Sequence, residues 1–252
     1  MRELLSSGRS LPEAYHQALL LLEQYGEITP CPDYNTTQRE CSMTLYVEQP
    51  LAEPRISRLF IGGFMELEQY RQEMLDGILD FEIGRGNWEY TYHARIAEQY
   101  PFILRELRRN SDSRRAVIDV RDWRHDSAEG NTNPACLQHL QFFIRSGVLH
   151  AKILFRSNDA CEATFMNSYA LICLQERLAG ELGVEMGSFT LRANSFHCYE
   201  KDFGLLEGYC RRIRQAEESD ELCYFYEGDW KELMLSARSE IEAKVAELKS
   251  RD

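Results

Sequence analysis

The chain has 252 residues, of which 44% are hydrophobic and 28% charged, and its formal net charge is −12. That length can bury one substantial core, and the acidic balance excludes a general nucleic-acid binder, which needs a basic face to displace counterions. A few arginines can still build a local site for a small anion, because the global sum does not govern a cleft.

No apolar run reaches the length of a membrane span, and the N-terminus from Met1 to Ser6 has no signal-peptide core. A cytoplasmic protein is therefore expected, with no membrane partner, and a single domain over residues 1–252.

Residues 11 to 25 predict an amphipathic helix, with Pro12 near its start, Tyr15, Ala18, Leu19 and Leu22 on one stripe, and Gly26 just past its end. Pro30, Pro32 and Asp33 break the chain. The alternation Cys41, Met43, Leu45, Val47 reads as a half-buried strand, closed by Pro50 and Pro54, with Arg39 just before it. Residues 64 to 77 read as an acidic helix carrying Glu66, Glu68 and Glu73; Glu82 follows, and then the aromatic run Trp88 to Arg95 with Tyr90 inside it.

Ser113-Arg114-Arg115 leads into a strand-like run from Ala116 to Val120, and a charged loop over 121 to 133 delivers the chain to Cys136. Leu140 to Ile144, the Ser146-Gly147 pair and Val148 to Phe155 predict a hairpin with a tight turn. Cys136 then enters the first strand and Arg156 leaves the second, which places a nucleophile beside an anion site. Ser168 to Leu182 predicts a helix with Tyr169, Ile172, Cys173 and Ala179 buried and Gly183 ending it. Phe189 to Tyr199 reads as one or two strands with His197 and Tyr199 on one side. The tail from Asp229 predicts a helix docked by Trp230, Leu233, Ala237, Ile241, Val245 and Leu248.

Cysteines at 31, 41, 136, 161, 173, 198, 210 and 223 form no C-x-x-C pair and no Cys/His cluster at zinc spacing, so no metal site is expected and most are read as small, buried, reduced side chains. Cys136 stands apart because of its neighbours.

The ordered set Pro134-Ala135-Cys136-Leu137-Gln138, Gln141-Phe142-Phe143, Arg156-Ser157-Asn158-Asp159, Asn167 and His197-Cys198-Tyr199 resembles thymidylate synthase and its relatives, the dUMP, dCMP and CMP hydroxymethylases. The resemblance implies an α/β (α+β) enzyme of the thymidylate synthase fold, a large mixed β-sheet covered by helices and paired sheet to sheet as a homodimer. It also implies transfer of a one-carbon unit from 5,10-methylenetetrahydrofolate to C5 of a pyrimidine nucleoside 5′-monophosphate. C5 is a poor nucleophile until a thiolate adds to C6 and makes it enolate-like. Cys136 is the candidate nucleophile, with Arg156 favouring its thiolate.

The remaining roles follow residue by residue from the same resemblance. Asn167 meets charge on the ring carbonyl and reads the base edge; asparagine here points to uracil, but an amide can present either edge, so cytosine stays open. Tyr90 matches the tyrosine that approaches the C5 proton, and one of Glu66, Glu68, Glu73 or Glu82 matches the glutamate that orders water at the ring. Arg156 and Ser157 match phosphate ligands, and Arg114 with Arg115 resembles the arginine pair lent across the dimer interface to the partner's phosphate. Arg39 falls roughly where a phosphate-contacting arginine loop is carried, without that loop's glycine-rich form. His197 and Tyr199 match the pair that holds the sugar hydroxyl, and Asp159 the acid that binds the pterin.

Several positions depart from the family. Leu137 replaces a histidine, Phe155 replaces a glutamine, the tryptophan-rich segment over the folate is not recognisable, and Lys249 to Asp252 do not resemble the closing tail. A looser site admits water to the exocyclic methylene, which favours 5-hydroxymethylation over the methylation of dUMP to dTMP by a thymidylate synthase. Some archaeal thymidylate synthases share the leucine and the Arg-Ser-Asn-Asp run, which keeps methylation open. A non-catalytic relative that binds a nucleotide or a messenger RNA is a different class, against which intact Cys136, Arg156 and Asn167 speak. A thiol hydrolase pairing Cys136 with His139 or His197 is a third. No DNA partner is expected.

Overall fold

The computed structural model describes residues 1–250. The chain opens with β1 (Glu3–Gly8) and α1 (Leu11–Tyr25), the helix expected from its stripe: Tyr15, Ala18, Leu19 and Leu22 are fully buried. Next come β2 (Glu27–Cys31) and β3 (Thr36–Val47). Two expectations change here. Pro30 does not break the chain but sits in β2, which pairs only with β3; a missing N–H is tolerated on such an edge. Arg39 lies inside β3 rather than before it, because the strand starts at Thr36.

The chain continues through β4 (Ile56–Ser57), α2 (Phe64–Asp76), α3 (Phe81–Gly84), α4 (Tyr92–Ala97), α5 (Tyr100–Arg109), β5 (Val117–Asp119) and α6 (Trp123–Asp126). Gly77 ends α2 with φ 63°, packed so closely on His93 and Asp80 that a Cβ would collide with both. The hairpin follows as β6 (Leu137–Arg145) and β7 (Val148–Asp159). Ser146 and Gly147 both have positive φ, 52° and 81°, as a two-residue turn that follows the strand twist requires. β7 runs three residues past Arg156, so the arginine sits within the strand and does not end it.

The last part comprises α7 (Thr164–Leu182), β8 (Glu185–Tyr199), α8 (Phe203–Gln215), β9 (Cys223–Tyr224) and α9 (Lys231–Ser250). Asn167 falls in the first turn of α7, since the helix begins at Thr164. Of the expected tail stripe, Trp230, Ala237 and Ile241 are buried and Val245 is half-buried, whereas Leu233 and Leu248 are exposed and Met234 packs inward instead of Leu233. Of the tail Lys249 to Asp252, Arg251 and Asp252 lie outside the described residues.

Seven strands form one mixed sheet in the order β1-β3-β8-β7-β6-β5, with β2 extending the edge at β3. β1 and β3 run parallel, as do β7 and β8; the other neighbours are antiparallel. Alternation puts Met43, Leu45, Phe142, Ile153, Phe189 and Leu191 on a buried face, while Tyr46, Gln141, Phe143, Lys152, Thr190 and Arg192 stay partly or fully exposed on the other. The α/β class and large mixed sheet expected from the sequence are thus present. All eight cysteines are free and six are buried. Among the described residues no helix is long and apolar enough to cross a membrane.

His16 is one internal constraint of this core. It is 6% exposed, and its Nε2 lies 2.7 Å from Ser57 Oγ, which itself accepts the Leu59 N–H at 2.9 Å. Burial, with Arg212 adding to it, lowers its pKa to about 4. The unfolded chain takes up that proton below pH 6.5 and the folded chain only near 4, so stability falls as pH drops through this window, by about 3 kcal/mol. Denaturant titrations at pH 7 and pH 4.5 on wild type and His16→Gln should show a smaller acid loss in the variant; equal losses would remove His16 from the account.

Candidate active site

Cys136 precedes β6, and the segment before it is held from two sides. Arg156, paired to it across the hairpin by its N–H to Cys136 O at 2.8 Å, turns its guanidinium back: Nε donates to Ala135 O at 3.0 Å and Nη2 to Pro134 O at 2.7 Å. From the other side, Arg95 of α4 makes a two-pronged pair with the buried Asp126 at 2.8 and 3.1 Å and also donates to Val120 O at 2.9 Å. Burial opposes ionisation of Asp126, but the Arg95 hydrogen bonds outweigh it, and a backbone N–H from Ala135 adds to them, so its pKa is lowered. The thiol is therefore fixed by charge-assisted bonds on a loop of otherwise mobile composition.

Burial raises the pKa of Cys136, and Arg156 only partly offsets it. The expectation that Arg156 favours the thiolate holds in sign, yet desolvation prevails. Phe155 and Leu137 are fully buried in the core, so neither supplies a polar replacement for the family's glutamine or histidine.

A cavity of about 430 Å³ is walled by Tyr70, Glu73, Leu79, Trp88, Tyr90 and Tyr92, among others. Tyr92 links it to the segment that carries Cys136, since its hydroxyl accepts the Leu137 N–H at 3.4 Å. Burial, followed by the charge of a Cys136 thiolate, raises the Tyr90 pKa to about 12; the same two causes raise Tyr92. Arg95 lies 4.1 Å over the Tyr90 ring.

The four candidate glutamates now separate. Glu66 caps α2 through the Gly63 N–H at 2.8 Å, and Glu68 is buried among Arg71, Gln72 and Arg238, fastening α2 to α9. Glu82 accepts from Asn87 at 2.6 Å. Glu73 alone of the four lines the cavity, and burial raises its pKa against the opposing hydrogen bond from Gln69.

At the adjoining strand ends, His197 and Tyr199 share one side as expected, their rings 4.7 Å apart edge to face. His197 Nδ1 faces the hydroxyls of Ser157 at 3.5 Å and Ser195 at 3.4 Å, which gives no Cys136–His197 pair; its Nε2 is buried without a partner. His139 lies in β6 in register with Asp119 of β5 and Leu154 of β7. Asp159 Oδ1 accepts the N–H groups of Cys161 and Glu162 at 2.9 and 2.8 Å, while its buried Oδ2 has no partner. Burial raises the Asp159 pKa and lowers that of His197. Carboxylates of Asp159, Glu162 and Asp202 approach within 4.8 Å of one another, and Lys201 stands beside Glu162 and Asp202 at 2.5 and 3.4 Å as their counterion.

Two predicted groups lie apart from Cys136. Arg39 donates to Glu23 O at 2.8 Å and packs on Phe203, between α1 and α8. Arg114 and Arg115 are exposed at the start of β5, beside Arg109 and Asp112, at the end of that strand away from the nucleophile. Sequence reasoning missed Tyr70, Tyr92, Arg95 and Asp126. Tyr92 and Arg95 stand within the aromatic run already singled out, but their partners are 45 and 31 residues away.

A thiol, a guanidinium and unpaired buried polar atoms gathered at one sheet end are the parts of a nucleophilic enzyme site for an anionic substrate. Residues 69–234 match the family model described as thymidylate synthase, and the chain belongs to that family of folate-dependent one-carbon transferases. A protein of Methanocaldococcus jannaschii provisionally named a thymidylate synthase is 28% identical over 79% of this chain and 93% of its own length. The thymidylate synthase of Bacillus phage phi3T is 25% identical over 62% of this chain and 54% of its own. The fold is similar to that of the thermostable thymidylate synthase A from Bacillus subtilis, with a TM-score of 0.64 over 80% of this chain and 84% of the other at 14% identity.

Because burial outweighs Arg156, iodoacetamide labelling of Cys136, read by peptide mass, should keep rising with pH beyond 9. Arg156→Gln leaves burial unopposed and should slow labelling at pH 8 by about three- to tenfold. A rate that levels off below pH 8 would contradict this electrostatic balance.

Proposed function

We propose that the protein transfers a one-carbon unit from 5,10-methylenetetrahydrofolate to C5 of a pyrimidine nucleoside 5′-monophosphate through a covalent Cys136–C6 adduct, and that water completes the reaction to give a 5-hydroxymethyl nucleotide. The observation that carries this reading is the placement of Cys136: clamped by Arg156, and joined through the Tyr92 hydroxyl to an aromatic cavity whose wall includes the half-buried Glu73.

Each end of the site suits one part of the two substrates. The unpaired Oδ2 of Asp159 suits the N–H donors of a pterin, and the Trp88, Tyr90 and Tyr92 walls suit its flat ring. The folate supplies the one-carbon electrophile. Cys136 adds to C6, and Asn167 at the base edge takes the charge that develops on the ring carbonyl. Glu73 stands at the cavity wall as the acid that exchanges a proton with the ring through water, a role that a burial-raised pKa suits, and Tyr90 receives the C5 proton. Ser157, Arg156, His197 and Tyr199 hold phosphate and sugar. Arg114 and Arg115 serve the phosphate of a second copy, joined across the exposed sheet face; their distance from Cys136 in their own chain accords with that role.

Hydroxymethylation is favoured by the apolar Leu137 and Phe155, which leave no polar group where the family has histidine and glutamine. It is also favoured by the fastening of the α9 end, where Arg85 donates to Leu248 O and Lys249 O at 2.8 and 2.7 Å. Methylation of dUMP to dTMP is the second reading, favoured by Asn167 and by the names of the relatives.

Product mass decides between them after incubation with methylenetetrahydrofolate and, separately, UMP, dUMP, CMP and dCMP. The reading predicts a gain of about 30 daltons on one nucleotide, abolished in Cys136→Ala and reduced at least about a hundredfold in Glu73→Gln. A gain of about 14 daltons on dUMP would establish the second reading, and no product from any of the four would remove both.

A further inference from the structure

Asn167 is 6% exposed, and both ends of its carboxamide are engaged by side chains. Oδ1 accepts from the hydroxyl of Tyr70, brought from α2 across 97 residues, and Nδ2 donates to Asn158 Oδ1 at 3.0 Å. Tyr70 also walls the cavity. Asn158 is 3% exposed, and its own Nδ2 has no partner. A phenol and two amides thus form a chain that ends in an unmet donor.

A carboxamide turned by 180° exchanges donor for acceptor. Uracil offers a donor at N3 beside an acceptor at C4, and cytosine offers the reverse. Tyr70 and Asn158 occupy one lone pair and one N–H of Asn167, leaving one of each for a ligand. Turning Asn167 alone would set its oxygen against Asn158 Oδ1. Turning both amides would leave the Tyr70 hydroxyl proton and Asn158 Oδ1 without partners, two polar atoms in place of Asn158 Nδ2 alone. Unmet buried polar groups carry their full desolvation cost, so the arrangement with fewer of them prevails. We infer that Tyr70 and Asn158 are positioning residues that fix the direction of the Asn167 carboxamide and thereby set the choice between uracil and cytosine nucleotides, an inference that rests on the pyrimidine-nucleotide reading above.

The test is calorimetric binding of dUMP, dCMP, UMP and CMP to the full chain without folate, for wild type, Tyr70→Phe, Asn158→Leu and Asn158→Asp. Wild type binds one base at least about tenfold more tightly than the other at fixed sugar. Tyr70→Phe and Asn158→Leu each bring that ratio to within about threefold. Asn158→Asp, which can only accept, keeps the wild-type preference. Asn158→Leu leaves the cavity wall untouched and carries the test if Tyr70→Phe does not fold. Wild type that binds both bases equally, or folded variants that keep its preference, would overturn the inference while leaving the nucleotide reading standing. Wild type that binds none of the four would overturn both.

Discussion

Arg156 holds the carbonyls of Pro134 and Ala135 at 2.7 and 3.0 Å, and what the Cys136 thiol can do depends on that clamp. The hairpin brings the arginine opposite the cysteine, and the guanidinium then ties down the loop from which the cysteine emerges. Arg95 and Asp126 fasten the same loop from its other flank, across from the Tyr90 ring. Two cations therefore hold the segments that flank Cys136. The Arg95–Asp126 pair is largely out of water, where a charge-assisted bond is strong and a lost partner is costly, whereas Arg156 works from an exposed position.

The sheet concentrates its unmet polar atoms at one end. Asp159 Oδ2, His197 Nε2 and Asn158 Nδ2 are buried without partners at the adjoining ends of β7 and β8, while the middle of both strands turns one face to the apolar core. Buried groups in this condition are rare and destabilising, and three together on adjoining strand ends point to a ligand that completes them. The half-buried Glu73 and the Cys136 thiol, both with raised pKa, lie near the same end. Desolvation raises the pKa of each, the cost of placing an ionisable group in a partly dry cleft.

Much of this was legible in the chain because it is local. The Ser146-Gly147 turn, the alternation in β3, the α1 stripe and the His197-Tyr199 pair each follow from residues a few positions apart. Pro30 misled because its edge position depends on a partner strand, not on the residue itself. The tail stripe was legible at Trp230, Ala237 and Ile241, but periodicity could not choose between the adjacent Leu233 and Met234, of which packing buries the methionine. Tyr70 with Asn167 and Arg95 with Asp126 are tertiary pairs, 97 and 31 residues apart, and no periodicity announces them. The choice of Glu73 among four glutamates is of the same kind, since only packing separates a cavity wall from a helix cap or a helix–helix tie.

The central claim is that Cys136 is the atom that bonds to C6, and a pyrimidine nucleotide with fluorine at C5 tests it, because fluorine cannot leave as the proton does and the adduct is trapped. Protein incubated with methylenetetrahydrofolate and the 5-fluoro analogues of dUMP and CMP would be digested and the peptides weighed. The account predicts that one analogue adds the mass of nucleotide plus folate to the peptide containing Cys136 and to no other. An unmodified Cys136 peptide with both analogues, from protein shown to turn over the parent nucleotide, would contradict it.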